Sequence, residues 1–368
     1  MPAPFERPPP SEPGAHREPG VHTEPLARTG QDAQREHSAQ TERGVNGERG
    51  PQAGIDLLDR RLIFVTGKGG VGKTTVASAL ALLAAERGQR TLLCEVDAKG
   101  NVADFFDTGP TAFAEREVLP NLWAMSMDTE ASLQQYLRLQ LKMGFVTRVG
   151  PLAKMFDFVA SAAPGVREIV TVGKLCWEVR ERHYDLVVVD AAASGHIVSQ
   201  LTAPQAINEL VQVGPIRAQT GWMLDILGDP AQTAAVIVAT PAEMPVRETL
   251  ELVERIQGQT NVAVGDVVIN RVLPELFGRG EEEVFEQIDT PEVTAALDAA
   301  IGGPVRPILD AAHLMVTRRR GRAEHLTRLR AEIDRSIPLL YVPYLFFSSH
   351  GLPATREVAG ALSAELGY

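Results

Sequence analysis

Residues 67–75 read GKGGVGKTT, directly after the apolar run LIFVT (62–66) and directly before a stretch with helical spacing of apolar residues. G-x-x-x-x-G-K-[ST] between a strand and a helix is a phosphate cradle: its glycines let backbone N–H groups turn toward phosphate oxygens, and the helix N-terminus adds its dipole. On this reading Gly67, Lys68, Gly69, Gly70, Val71, Gly72, Lys73, Thr74 and Thr75 surround the phosphates of a nucleotide. Lys73 neutralises the β- and γ-phosphates, the Thr74 hydroxyl is offered to Mg²⁺, and Thr75 reaches the α-phosphate. Such a cradle needs one lysine, and Lys68 is a second.

Outward from the loop, short apolar runs alternate with amphipathic stretches. RLIFVT (61–66), TLLCEV (91–96), DLVVVD (185–190), AAVIVAT (234–240), VGDVVIN (264–270) and PLLYV (338–342) are rich in leucine and β-branched residues. Strands apolar on both faces imply a parallel sheet covered by helices. Helices are expected at Thr74–Glu86, Ser199–Val213 and Pro245–Gln257. The fold class is therefore α/β, a predominantly parallel twisted sheet flanked by helices.

Two spacers exceed a simple crossover. From about 129 to 183, Leu133, Leu137, Leu141 and Phe145 recur at helical intervals, which reads as a helical insertion on the sheet's edge. Met143, Met155 and Phe158 within it are read as ordinary packing. A second helical insertion, about 271–335, holds an acidic helix around EEEVFEQI and a long helix ending near TRRRGRAEHL. The basic RRRGR (318–322) is read as a solvated helix face.

Composition narrows the function classes. The chain has 368 residues, 44% of them hydrophobic, and no apolar stretch as long as a membrane span, so a soluble cytoplasmic protein is expected. Cys94 and Cys176 are too few for a disulfide framework or a structural zinc site. A net charge of -11 argues against nucleic-acid binding, because an acidic surface releases no counterions from a phosphate backbone. Residues 1–54 hold nine of the 25 prolines and few large hydrophobes, so a disordered tail is expected there and an ordered domain over 55–368.

Lys68 in the loop resembles the deviant phosphate loop of the dimeric ATPases that include ParA and MinD, the nitrogenase iron protein, and the ArsA and tail-anchored-protein targeting ATPases. EVDAKGNVADFF (95–106), with Asp97, Asn101 and Asp104 in register, resembles the ArsA-type switch I. DLVVVDAAASGH (185–196) resembles switch II, with Asp190, Ser194, Gly195 and His196 in place but Ala193 where a proline is usual, which puts the stiffness of that loop in question. NLWAMSMD, APGVREI, PAEMPVRETLELVE, VVINR and LLYVPYL resemble further landmarks along nearly the whole ordered chain. The protein is similar to the ArsA-like ATPases of the actinobacterial type.

The resemblance implies Mg²⁺-dependent ATP hydrolysis by a dimer, a homodimer or a heterodimer with a paralogue. It implies that Lys68 crosses the interface to the partner's nucleotide, that Asn270 binds adenine and that Pro343 lies near the base. Phosphoryl transfer to water is mainly positioning and charge stabilisation. Asp97 is expected to orient or deprotonate the water, and Asp190 to hold a Mg²⁺-bound water. The hydrolysis would be coupled to an unidentified client protein or small ligand. Two cysteines 82 positions apart are a poor site for arsenite, and no C-x-x-C pair offers a zinc seam. A nucleotide-regulated binding or targeting module for membrane proteins, or a ParA- or MinD-type partitioning switch, is the alternative. The acidic total disfavours the first of these switches, and a C-terminal LPATREVAGALSAELGY with one arginine and two glutamates disfavours the second.

Overall fold

Every residue of β1 (Leu62–Gly67), the strand that feeds the glycine loop, is buried, which requires cover on both faces of its sheet. The structure, a computed structural model, describes residues 55–96, 101–132, 135, 165–211, 213–278, 280–288, 290–346 and 351–368. Ile55–Tyr368 is one compact unit.

The other strands are β2 (Thr91–Glu95), β3 (Arg116–Leu119), β4 (Leu122–Ser126), β5 (Leu186–Ala193), β6 (Thr233–Ala239), β7 (Ala263–Val272) and β8 (Leu339–Pro343). They form one eight-stranded sheet in the order β3-β4-β2-β5-β1-β6-β7-β8. All neighbours are parallel except β3 and β4. All six strands expected from apolar runs are present. The β3–β4 hairpin was not anticipated, because β3 (REVL) lies at the edge with its first two residues exposed and lacks the apolar run of an interior strand.

Side chains alternate across the sheet and build two cores. Leu62 and Phe64 face one cluster with Leu92, Cys94, Val187 and Val189; Ile63 and Val65 face the other. The first is closed by α3 (Val166–Arg180), α4 (Ser194–Leu210), α5 (Pro215–Gly228) and α6 (Glu243–Gln259), which extends the expected 245–257 helix. The second is closed by α1 (Lys73–Glu86), by Val102 and Phe106 in and just after α2 (Asn101–Phe105), and by a C-terminal helix (Leu352–Leu366). Val358, Leu362 and Leu366 of that helix are buried in the core, so its apolar face is already used.

The edge position expected for the 129–183 spacer does not hold for α3. Val172, Leu175, Cys176 and Val179 are buried against the central strands, in the same cluster as Leu62, Phe64 and Val187. Periodicity identifies a helix but not the part of the sheet it covers. Leu133, Leu137, Leu141, Met143, Phe145, Met155 and Phe158 lie outside the described residues.

Between β7 and β8 run α7 (Glu281–Ile288), α8 (Pro291–Ile301) and α9 (Arg306–Glu332), and Leu352–Leu366 is then α10. Phe285, Val305 and Leu309 form a separate small core there, while Leu329 of α9 joins the main one. The basic run on α9 is more than a solvated face. Arg319 pairs with Glu275 at 3.1 Å, and Arg320 pairs with Glu282 at 2.9 Å and Glu286 at 3.1 Å. Among the described residues no helix is long and apolar enough to cross a membrane.

If α3 is part of the central core, Leu175→Ala should destabilise the fold by about 2–5 kcal/mol, the usual cost of truncating a fully buried leucine. Urea unfolding of the two proteins measures this; a change below about 0.5 kcal/mol, as for a surface position, would place α3 away from the sheet.

Candidate functional site

The cradle is shaped by close approach as much as by glycine's freedom. Gly67 has φ 146°, and a Cβ there would meet the Val238 carbonyl oxygen of β6 at 2.2 Å. Gly72 has φ 98°, and its Cβ would fall 2.2 Å from Asn270 Nδ2. These two positions accept no side chain without displacing backbone or the asparagine. Gly72 is also the N-cap of α1 and supplies no side-chain cap, so no capping side chain stands between the N-terminus of α1 and an anion. Around Gly69 and Gly70 an added Cβ meets nothing within 4 Å. The loop is therefore fixed at its two ends and open at its crown.

The ends of β1 and β5 lie side by side. Val65 is in register with Asp190, and Thr66 Oγ1 donates to the Ala192 carbonyl at 2.9 Å. Thr74, in the first turn of α1, donates its hydroxyl to Asp190 Oδ2 at 2.6 Å. A hydroxyl beside a carboxylate is the oxygen pair that suits a hard divalent cation. Among the described residues no group of three or more His, Cys, Asp or Glu could hold a metal by itself. Mg²⁺ takes few protein ligands, since phosphates and water complete its octahedron, so Thr74 and Asp190 fit it. Lys73 points its ammonium back into the loop, 3.5 Å from the Lys68 carbonyl.

Switch II passes without a break from β5 into α4. Ala193 holds φ -61° and ψ 161° as the N-cap of α4. That φ is the one a proline ring would impose, so the chain reaches the expected turn without the ring. Ser194 begins α4, and Gly195 and His196 are exposed on its first turn. Switch I is described only in part. Val96 N donates to the Asp190 carbonyl at 3.1 Å, which sets the end of β2 beside the Thr74–Asp190 pair. Asp97 lies outside the described residues, and Asp104 is exposed on α2.

Asn270, near the end of β7, is buried and underpins the loop. Its Nδ2 donates to the Val71 carbonyl at 2.9 Å, and its Oδ1 accepts the Arg271 N–H at 2.9 Å. Pro343 ends β8, exposed, opposite Val272 of β7. The fold thus brings Lys68, Lys73, Thr74 and Asp190 to one end of the sheet, with Asn270 under the loop.

Glu248 is the site residue that sequence reasoning passed over. Standing on α6, it accepts Lys68 Nζ on Oε1 at 2.5 Å and the Ser194 hydroxyl on Oε2 at 3.4 Å. It is 180 positions from Lys68, and an acidic residue on an amphipathic helix carries no sign of its partner. The cysteines stay out of this chemistry: both are fully buried, and burial pushes each thiol well above its ordinary range.

Comparison with known proteins agrees with this geometry. The ArsA-type family model, described as anion-transporting ATPase, matches residues 60–225, a span from β1 into α5. ATPase BagA of Mycobacterium tuberculosis is 33% identical over 304 residues, covering 77% of this chain and 86% of that protein. ATPase ASNA1 homolog 1 of Paramecium tetraurelia is 36% identical over 159 residues, 41% of this chain and 47% of that protein. The ATPase ASNA1 homolog of Entamoeba dispar is 26% identical over 255 residues, 58% of this chain and 76% of that protein. With the glycine loop, the Thr74–Asp190 pair and a relative matched along most of both chains, the protein belongs to the ArsA-type ATPase family and is an ATP-hydrolysing enzyme.

Proposed function

We propose that the protein hydrolyses ATP with Mg²⁺ when two chains close on each other, and that the nucleotide state controls binding of a client protein or small ligand in the cytoplasm. The observation that carries this reading is the 2.6 Å contact between Thr74 and Asp190 at the mouth of the glycine loop. It joins the loop that holds phosphates to the strand that continues into switch II. Thr74, with Asp190 acting through a bound water, would hold Mg²⁺, which would supply charge neutralisation at the terminal phosphates.

The chain's own residues then divide the work. Lys73 and the loop N–H groups bind the phosphates, and Thr75 takes the α-phosphate. Asp97 orients the attacking water and accepts its proton, while Asp190 passes the state of the site to α4 through Ser194. Lys68 is supplied to the partner's nucleotide, so its charge arrives only in the closed dimer, built from two copies or from a copy and a paralogue. Asn270 reads the base, with Pro343 beside it; its amide has one N–H and one lone pair beyond the bonds to Val71 and Arg271.

A second reading, nucleotide-regulated targeting of membrane proteins, is favoured by one feature. Helix α4 starts in switch II at Ser194 and ends at Leu210, which with Val213 and Ile216 is an exposed apolar group. Movement of the switch would be carried along one rigid helix to that group. A partitioning switch of the MinD kind has less support, since the apolar face of α10 is buried in the core.

Calorimetry should show the folded protein binding Mg-ATP, and GTP more weakly. Equal affinity for the two nucleotides would take the base-reading role from Asn270. Hydrolysis should need both chains: Lys68→Ala should keep ATP binding and lose about 10³ to 10⁵ in turnover, by analogy with a transition-state arginine supplied by a partner. Mixing Lys68→Ala with Asp97→Asn, each inactive alone, should restore activity, because one composite site then has Asp97 in cis and Lys68 in trans. Mixed dimers that form and stay inactive would make Lys68 an ordinary residue of its own site.

A further inference from the structure

Lys68 is already engaged within its own subunit. Its ammonium lies 2.5 Å from Glu248 Oε1, with the two side chains 30% and 29% exposed. The second oxygen of the same carboxylate takes the Ser194 hydroxyl at 3.4 Å, at the start of switch II. A cation so placed is not free for a neighbouring chain until this pair opens.

We propose that Glu248 is a positioning residue: it holds Lys68 against its own subunit while the site is open and releases it to the partner's phosphates as two chains close. This rests on the reading that Lys68 acts in trans. The strength of the pair suits an exchange. Partly exposed ion pairs are worth at most about a fivefold shift in an equilibrium, and Glu248 offers Lys68 a single negative charge, whereas a triphosphate offers several charges on neighbouring oxygens, each able to accept a charge-assisted hydrogen bond. The pair is strong enough to keep Lys68 home and weak enough to lose it. Because Ser194 shares the carboxylate, opening the pair changes what holds the first residue of α4. Release of Lys68 and movement of switch II are then one event. In a symmetric dimer two pairs open together, so their effects on closure multiply.

The test reads Lys68 directly and closure separately. The nucleotide-free full chain is labelled with trace acetic anhydride, and acetylation of Lys68 is measured by peptide mass spectrometry relative to the unfolded chain. Glu248→Gln should raise the Lys68 rate about two- to fivefold, the release of one such pair. It should also lower the protein concentration at half-maximal ATP turnover per subunit by about four- to twenty-five-fold, the square of that factor. In a Lys68→Ala background, Glu248→Gln should leave the dimerisation midpoint in Mg-ATP, measured by sedimentation, where it was.

An unchanged Lys68 labelling rate overturns the proposal. So does a concentration-dependent wild type whose midpoint Glu248→Gln fails to move. Wild-type turnover independent of concentration, with labelling raised in the variant, removes the trans reading and the latch with it while leaving the pair itself standing. Should Glu248→Gln fail to fold, Glu248→Asp keeps the charge and withdraws it by one methylene. Labelling between wild type and the unfolded chain is then expected, and wild-type protection in that variant counts against the latch.

Discussion

The hydroxyl of Thr74 meets the carboxylate of Asp190 because parallel strands end level with one another. Val65 of β1 and Glu95 of β2 both stand in register with Asp190 on β5 between them. The Thr66–Ala192 bond on one side and the Val96–Asp190 bond on the other hold the three ends together. The glycine loop and both switches therefore leave the sheet at its carboxyl edge, where open parallel sheets form their crevices. The register has no slack. A slip of one residue along β5 would turn Asp190 to the face now taken by Val189, into an apolar cluster where an unpaired carboxylate is costly.

What was legible in the sequence follows from the same constraint. An interior parallel strand is buried on both faces, so LIFVT and LVVVD show as unbroken apolar runs, and the loop after β1 carries its own spacing signature. Edge strands escape this rule, and the half-exposed β3 gave no such run. Helix α3 shows why the layer was harder to read than the element: its apolar face identifies a helix, but only the strand order puts it over β1 and β5. The candidate site divides in the same way. Lys73, Thr74 and Asp190 sit in local motifs, whereas the contact between Lys68 and Glu248 exists only because α6 follows β6, the neighbour of β1.

Asn270 shows one side chain meeting two demands. Its amide holds up the Val71 carbonyl, and Gly72 must stay a glycine because Nδ2 fills the space a Cβ would need. Arg271, just after it, has φ 61°, uncommon for a residue with a Cβ, and its N–H returns to Asn270 Oδ1. Such backbone conformations cost free energy and persist where the surroundings impose them. The irregularity near the end of β7 thus fixes the rotamer of the asparagine, and the asparagine fixes the floor of the loop. Any group that later bonds the remaining N–H or lone pair of this amide acts on a side chain already held in place, which lowers the ordering cost of binding.

Charge sets a further condition on the proposed closure. A chain of net charge -11 approaching a copy of itself is repelled, but at physiological salt the repulsion is screened beyond about 8 Å, so the balance is decided at contact. Lys68, part-buried beside the open crown of the loop, is the cation assigned to the partner's nucleotide in the proposed dimer. Left unpaired, it would be a standing site for any anion. Paired with Glu248, it answers only to a ligand of higher charge density than a single carboxylate, and a bound triphosphate is such a ligand. In the proposed dimer, selectivity for the nucleotide-loaded partner would come from a competitor inside the same chain, a restraint that acts against wrong partners more than it adds affinity for the right one.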